Sequence, residues 1–340
     1  MSGPVFTSVD AARATCNRAV YDPARRGGHY ESWFQRANHP SRPLGFWVRY
    51  TIFVPADRKR EPMAELWAIW FDGERRRVTA GKQEVSLEQA AFDREGFSVQ
   101  IGDARLDADG LSGAVTQKGA PLRWNLTMTD GQDPLLFLPL PLYRRGIPKA
   151  KALVGRPNCL YSGTIDVDGE THQIENWRGS QNHNWGSRHT DHYAWGQVAG
   201  FDGHPDAFLE VGTARIKIGP FWTPFLTPLV LRLEGREIAI NGLGRAVRNY
   251  GSFDYFDWRF RASDGDTLIE GRIHAPGDAF VALRYHNPPG GEKICLNSKI
   301  ASCELIVRES GRPEMRLEAP SRAAFEILTD DTAHGLQPVV

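Results

Sequence analysis

Cysteine is scarce in this chain of 340 residues, and Cys16, Cys159, Cys295 and Cys303 include no Cys-x-x-Cys pair. Thiols so spaced build neither a disulfide framework nor a zinc knuckle or thioredoxin-like site, and they fit a reducing compartment. Net charge is absent too, 41 Lys and Arg being balanced by 41 Asp and Glu. No global field then draws the chain toward nucleic acid or an anionic membrane, so nucleic acid is not an expected partner. Nowhere do about 18 apolar residues run together, which argues against an integral membrane segment. The start, MSGPVFTSVDAARATC, lacks the charged and continuous apolar regions of a secretory signal. The expectation is a cytoplasmic protein, in which the sequon Asn125-Leu126-Thr127 is accidental. A Gly-rich phosphate loop is missing: Gly242-Leu243-Gly244 lacks both the third glycine and a strand-to-helix setting, so no nucleotide cofactor is expected. Helical spacing is confined to 8–19, 86–92 and 320–328.

What the chain does have is rings and turns. Ten Trp, seventeen Phe and nine Tyr need partners in strand cores or around a cavity. Asp-Gly recurs at Asp72, Asp109, Asp130, Asp168, Asp202 and Asp264, beside short alternating or β-branched runs, which is hairpin punctuation. Between 45 and 54, Phe46, Val48, Tyr50, Ile52 and Val54 take one face and Trp47, Arg49, Thr51 and Phe53 the other. Many short strands, frequent turns and few helices predict an all-β, antiparallel barrel or sandwich, and the length predicts two domains. The Pro-rich stretch from Leu138 to Pro157, with Arg144, Arg145, Lys149, Lys151 and Arg156, reads as an irregular basic connection, either a plain surface loop, which is favoured, or a lid.

The segment NWRGSQNHNWGSRHTDHYAWGQ, Asn176 to Gln197, packs three His and three Trp among carboxamides. Imidazoles that exchange protons near neutrality, indole faces and amides suit an apolar pocket with a few polar tips. They equally suit a satisfied core pair of His183 and Trp185 with amides capping turns. In the segment from His29 to Arg36, Glu31, Trp33 and Gln35 share one strand face. A carboxyl there, desolvated beside an indole, is expected to have a raised pKa and to serve as a general acid, unless it accepts structural hydrogen bonds. Glu210 lies in an otherwise apolar strand start, sharing a face with Phe208 and Gly212. His189 and Asp191 have the local spacing of a two-His, one-carboxylate iron site, which needs a distant third ligand such as His286.

Three of these segments resemble a known family. Glu31-Ser32-Trp33-Phe34 is similar to the E-x-W-[YF] entry of the lipocalin-like superfamily of carotenoid 1,2-hydratases, tocopherol cyclases and AttH-type proteins. His183-Asn184-Trp185-Gly186 resembles its H-x-W-G element, and Tyr161 to Gly169 the strand and Asp-Gly turn preceding that element. The resemblance implies two lipocalin-like antiparallel β-barrel domains packed together, spanning 1–187 and 188–340, with an apolar ligand such as a terpenoid, carotenoid, steroid or polyketide held at their junction. In the hydratases, the His and Trp of H-x-W and an aromatic-x-acid pair on a following strand are active-site residues. Here these positions are His183, Trp185, Phe208 and Glu210, the pair being Phe and Glu where the hydratase pattern has Tyr and Asp.

The resulting expectation is a cofactor-independent hydratase, cyclase or isomerase without a metal, using His183, Glu210 and Glu31 for proton transfer. Trp33, Trp185, Trp195, Tyr193, Phe208 and Asn184 are expected to line the substrate, the indoles offering π faces to a cation worth on the order of 2 kcal/mol each. A non-catalytic carrier of a lipid or isoprenoid is the alternative, and a non-haem iron oxygenase built on His189 and Asp191 the third reading.

Overall fold

Hairpins dominate the architecture. At Asp168-Gly169 both residues take positive φ (50° and 86°), as a tight turn between twisted strands requires, and it joins the two longest paired strands of the first sheet, Ala150–Val167 and Glu170–Gly186. The Asp-Gly pairs at Asp202 and Asp264 likewise separate paired strands. The computed structural model describes residues 3–57 and 60–339. It contains a 13-stranded and a 10-stranded antiparallel sheet, and a separate two-stranded hairpin, Lys217–Ile218 with Phe221–Trp222.

In the first sheet the strands Ala150–Val167, Glu170–Gly186, His29–Asn38, Leu44–Val54, Met63–Asp72 and Arg77–Ser86 lie side by side in that order. In the second, Leu229–Leu233, His204–Arg215, His192–Phe201, Met315–Thr329, Glu292–Glu309 and Thr267–His274 do so. The molecule is thus all-β, with two barrel-like antiparallel domains packed together and few short helices. No helix among the described residues is long and apolar enough to cross a membrane.

The alternation expected for 45–54 is present and explains why both faces of the Leu44–Val54 strand are dry. Phe46, Val48, Tyr50 and Ile52 join Trp33, Leu66 and Trp70 in the core of the first domain. Trp47, with Phe34, Trp67, Ile69 and Phe71, belongs instead to a core shared with the second domain. The central strands are therefore covered on one side by their own barrel and on the other by the second sheet. Trp47 and Trp67 are 1% and 0% exposed, so trimming either ring to Ala would cost about 3–5 kcal/mol.

Four sequence-based expectations need correction. The first helix is only Val9–Thr15, capped by Ser8, and 86–92 is a 3-10 turn, Leu87–Gln89, running into the strand Ala90–Phe92. The stretch 320–328 is not helical but lies in the Met315–Thr329 strand, paired on both sides, with Phe325 in register with Gly196 and Ser298, so sheet pairing overrides its helical composition. Leu138 to Pro157 is not an irregular loop. It forms the helix Leu140–Arg144 and the beginning of the Ala150–Val167 strand, and the Arg156 guanidinium binds the carbonyls of Asp130 and Ala108.

Candidate functional site

Period two in the Glu170–Gly186 strand sends its residues to opposite sides of the sheet. Ser180, Asn182 and Asn184 face the second domain, whereas Gln181, His183 and Trp185 face away from it. The dense polar segment seen in the sequence is thereby divided into two environments.

On the far side, Glu31 is wholly buried and receives hydrogen bonds on both oxygens. Val20 N (2.6 Å) and His183 Nε2 (2.9 Å) approach Oε1, and Tyr21 N (2.7 Å) and His29 Nε2 (2.9 Å) approach Oε2. His183 Nδ1 lies 2.6 Å from the Cys16 carbonyl, an acceptor only, so that nitrogen donates and Nε2 is committed to Glu31. Trp33 stacks on His183 at 4.8 Å and donates from its indole to the Asn17 carbonyl (3.0 Å). Trp185 packs against Phe6, Tyr143 and Leu153. This arrangement latches residues 16–21 onto the barrel.

Burial pushes the Glu31 carboxyl up, but the hydrogen bonds from His183 and His29 outweigh it and hold the group down at about 2. The expectation of a raised pKa is therefore corrected: desolvation is present, and the donors prevail.

On the near side, Glu210 of the His204–Arg215 strand is 2% exposed. Trp195 Nε1 donates to its Oε1 (2.7 Å) and Gln197 Nε2 to its Oε2 (2.8 Å). Both donors are neutral, so burial prevails and the carboxyl is raised to about 7. Gln197 is itself fixed by both domains. Its Oε1 accepts from Arg36 Nε (3.0 Å) and from the Ser180 hydroxyl, and its Nε2 also donates to Asn182 Oδ1 (2.7 Å). Arg36, wholly buried and pulled down to about 10 by burial, further donates to the Gln197 carbonyl (3.1 Å) and Asn38 Oδ1 (2.7 Å). A carboxyl so placed is available as an acid or a base near neutrality.

Tyr193, Trp195 and Asn184 are half-buried, and the buried Asn184 Oδ1 has no hydrogen-bond partner. Phe34 meets the Trp195 ring edge-on at 5.9 Å. Phe208 shares the Glu210 face but is fully buried with Leu135, Phe137, Val154 and Val230, so it packs behind the acid.

Sequence reasoning missed the rest of this wall. Lys299, with no exposed surface, lies 5.7 Å from the Trp47 ring and 5.5 Å from the Trp195 ring and binds Glu326 Oε1 and Asn297 Oδ1, each at 2.7 Å. Burial pulls Lys299 below its ordinary value while Glu326 pushes it back up. Buried Arg49 binds the Ser32 hydroxyl (2.7 Å) and stacks on Tyr285 at 4.4 Å, leaving its Nε unpartnered. The usable signal was alternation itself, which puts Gln197 on one face with Tyr193 and Trp195. Nothing in the sequence points to Lys299, whose partner Glu326 is supplied by register with the Met315–Thr329 strand.

The residues of the iron reading do not converge. Asp191 pairs with Arg188 and accepts from Lys217 N (2.9 Å), and His189 Nε2 lies 3.2 Å from the His286 carbonyl. Burial drives His189 down to about 3. His286 instead approaches Glu65 and Glu84, and between those carboxylates sits the Lys82 ammonium, 2.7 Å from each. A cation of the protein already fills that position.

No protein-family model matches the chain. Over 293 residues it is 24% identical to uncharacterized proteins from two strains of Mycobacterium tuberculosis, covering 85% of this chain and 84% of theirs. Among solved structures, an AttH-like protein from Nitrosomonas europaea aligns with TM-score 0.54 and 13% identity, covering 92% of this chain and 98% of that one. Kievitone hydratase from Nectria haematococca aligns with TM-score 0.55 and 10% identity, covering 97% of both chains. At such identities the likeness is one of fold.

Proposed function

We propose that this chain, whose fold is that of the lipocalin-like superfamily of AttH-type proteins and hydratases, is a cofactor-independent lyase or isomerase that performs acid–base chemistry on an apolar small molecule at the junction of its two domains, divided near Ser187. The observation that carries this reading is Glu210: a carboxyl buried between the sheets, raised to about 7, and aimed by Trp195 and Gln197. Low dielectric makes its proton transfer effective, and the indole face of Trp195 is suited to a carbocation.

In a hydration, protonated Glu210 gives its proton to one alkene carbon, water bonds to the other, and the carboxylate recovers a proton from that water. In an isomerisation or cyclisation the cation loses a proton to the carboxylate instead. Tyr193, Trp195 and Asn184 are assigned to the ligand, the unpartnered Asn184 Oδ1 offering an acceptor to water or a substrate hydroxyl. Phe208 packs behind the acid. His183, Glu31, Trp33 and Trp185 are assigned to holding residues 16–21 in place, as positioning residues rather than proton carriers.

One observation favours the carrier alternative. With Glu31 and His183 turned to the other face, Glu210 alone of the three expected proton-transfer groups remains at the junction. Mass spectrometry of what co-purifies names the ligand, and Glu210→Gln then separates the readings. The enzyme reading requires that this variant keep ligand affinity and lose turnover. Absence of turnover in the unaltered protein with any ligand it binds tightly establishes the carrier.

A further inference from the structure

A carboxamide donates from one end and accepts at the other, so the end that Gln197 turns toward Glu210 decides what the acid meets. The partners around Gln197 leave one answer. A guanidinium has only donors, and wholly buried Arg36 donates from Nε to Gln197 Oε1 (3.0 Å). Its other nitrogens donate to the Gln197 carbonyl (3.1 Å), Asn38 Oδ1 (2.7 Å) and the Arg322 carbonyl (3.3 Å). Oε1 therefore faces Arg36, and Nε2 faces Glu210 Oε2 (2.8 Å) and Asn182 Oδ1 (2.7 Å). Asn182 must then donate from Nδ2, which lies 2.9 Å from Ser180 Oγ, and the Ser180 hydroxyl gives its hydrogen to Gln197 Oε1. The ring of bonds closes with every donor pointing the same way round. Its far end favours the same direction, since Asn182 Nδ2 lies 3.3 Å from the Ser180 carbonyl and 3.4 Å from that of Phe34. Those are long contacts between neutral groups, whereas the Arg36 bond is shorter and charge-assisted, so the guanidinium is the stronger anchor.

The consequence falls on the acid hydrogen. Both groups that bond Glu210 among the described residues, Trp195 Nε1 and Gln197 Nε2, are donors, so neither can accept from the protonated carboxyl. We propose that Arg36 is a positioning residue of the reaction assigned to Glu210: by fixing Gln197 it keeps the acid hydrogen unbound by the protein and leaves it to the ligand. When that O–H bond breaks and a C–H bond forms on the ligand, the carboxylate left behind meets two N–H groups already aimed at it, and no dipole has to turn. Arg36 also acts through its charge, favouring the carboxylate, while Glu326, held by Lys299 Nζ at 2.7 Å, opposes it. The Tyr143 phenol, near enough to sense Glu210, is kept uncharged by burial. Because Arg36 stands on the first sheet and Glu210 on the second, the acid is complete only when the two are packed together.

This inference rests on Glu210 being the acid of the proposed reaction, but its test reads protonation and not turnover. Infrared titration of the full chain, following the carboxyl C=O stretch that Glu210→Gln removes, gives the Glu210 midpoint. Arg36→Met deletes the charge and frees Gln197 to turn its carbonyl toward the acid; both changes favour the protonated form, and the midpoint should rise by at least about one pH unit. The stretch should also move to lower wavenumber, because the acid hydrogen then has an acceptor. Arg36→Lys keeps a cation that only donates and should hold the midpoint within about half a unit of the unaltered protein. Asn182→Ala should hold it as closely, since Arg36 still claims Gln197 Oε1. An unmoved midpoint in Arg36→Met, or a moved midpoint with an unmoved stretch, overturns the orienting role. Should Arg36→Met fail to fold, a rise of about one unit in Arg36→Lys or in Asn182→Ala overturns it equally. The expected shifts in a protein that turns over no ligand would support the role of Arg36 and remove the reaction instead.

Discussion

Glu31 and Glu210 are the same residue type, each on a central strand and each nearly without exposure, yet one is held at about 2 and the other at about 7. Burial acts upward on both. The difference is in the donors: two backbone N–H groups and two imidazoles converge on Glu31, against one indole and one carboxamide on Glu210. Dryness alone therefore does not make an acid. A carboxyl becomes a proton donor at neutral pH only where desolvation is left uncompensated, and that distinguishes the junction from the latch.

The comparison breaks most severely at the latch. Glu31→Gln leaves the donors from Val20, Tyr21, His29 and His183 facing an uncharged amide, and removal of one member of a buried pair costs about 3–5 kcal/mol. Urea unfolding at pH 7 should show that loss, and an unchanged midpoint would contradict the latch.

Acid titration sharpens the contrast next. The folded pKa of Glu31 is depressed from 4.5 to about 2, so its stabilisation is present in full above 4.5 and disappears as pH falls toward 2. The amount is about 3 kcal/mol, read as unfolding free energy against pH in this window.

Glu210 has the opposite sign. Its folded pKa is raised from 4.5 to about 7, so its contribution is favourable below 4.5, declines as pH rises, and levels off above 7. Glu210→Gln should then make the protein about 1–2 kcal/mol more stable at pH 8, the gain being reduced because one amide hydrogen now faces a donor. At pH 4 the gain should vanish. A variant no more stable at pH 8 than the unaltered chain would show that Glu210 is not desolvated as described.

The smallest effect is expected from Trp195→Phe, which removes the indole donor and keeps an aromatic face. The Glu210 carboxyl should move up by about one pH unit, seen as an alkaline displacement of the pH profile for ligand binding or turnover. A displacement toward acid would mean that this hydrogen bond does not stabilise the carboxylate.

Much of the fold was legible because strand alternation and Asp-Gly turns are local. Residues 45–54 display their two faces in the sequence, and the hairpin at Asp168-Gly169 needs only residues that tolerate positive φ. The stretch 320–328 was illegible because Ala323, Ala324 and Leu328 favour a helix in isolation, and only neighbours on both sides make the strand the better state.

At the site, the same alternation already forbade His183 and Asn184 from sharing a face. What it left open was which face meets the second domain. Lys299 and Glu326, 27 positions apart, are paired by register alone.

By itself, then, the amino-acid order determined an all-antiparallel chain and the faces on which Glu31, Trp33, His183, Trp195 and Glu210 stand. Only the tertiary structure decided that the donors on Glu31 outweigh its burial and those on Glu210 do not. Protonation depends on donors brought in from distant strands and on the water they exclude, and neither is a property of local sequence.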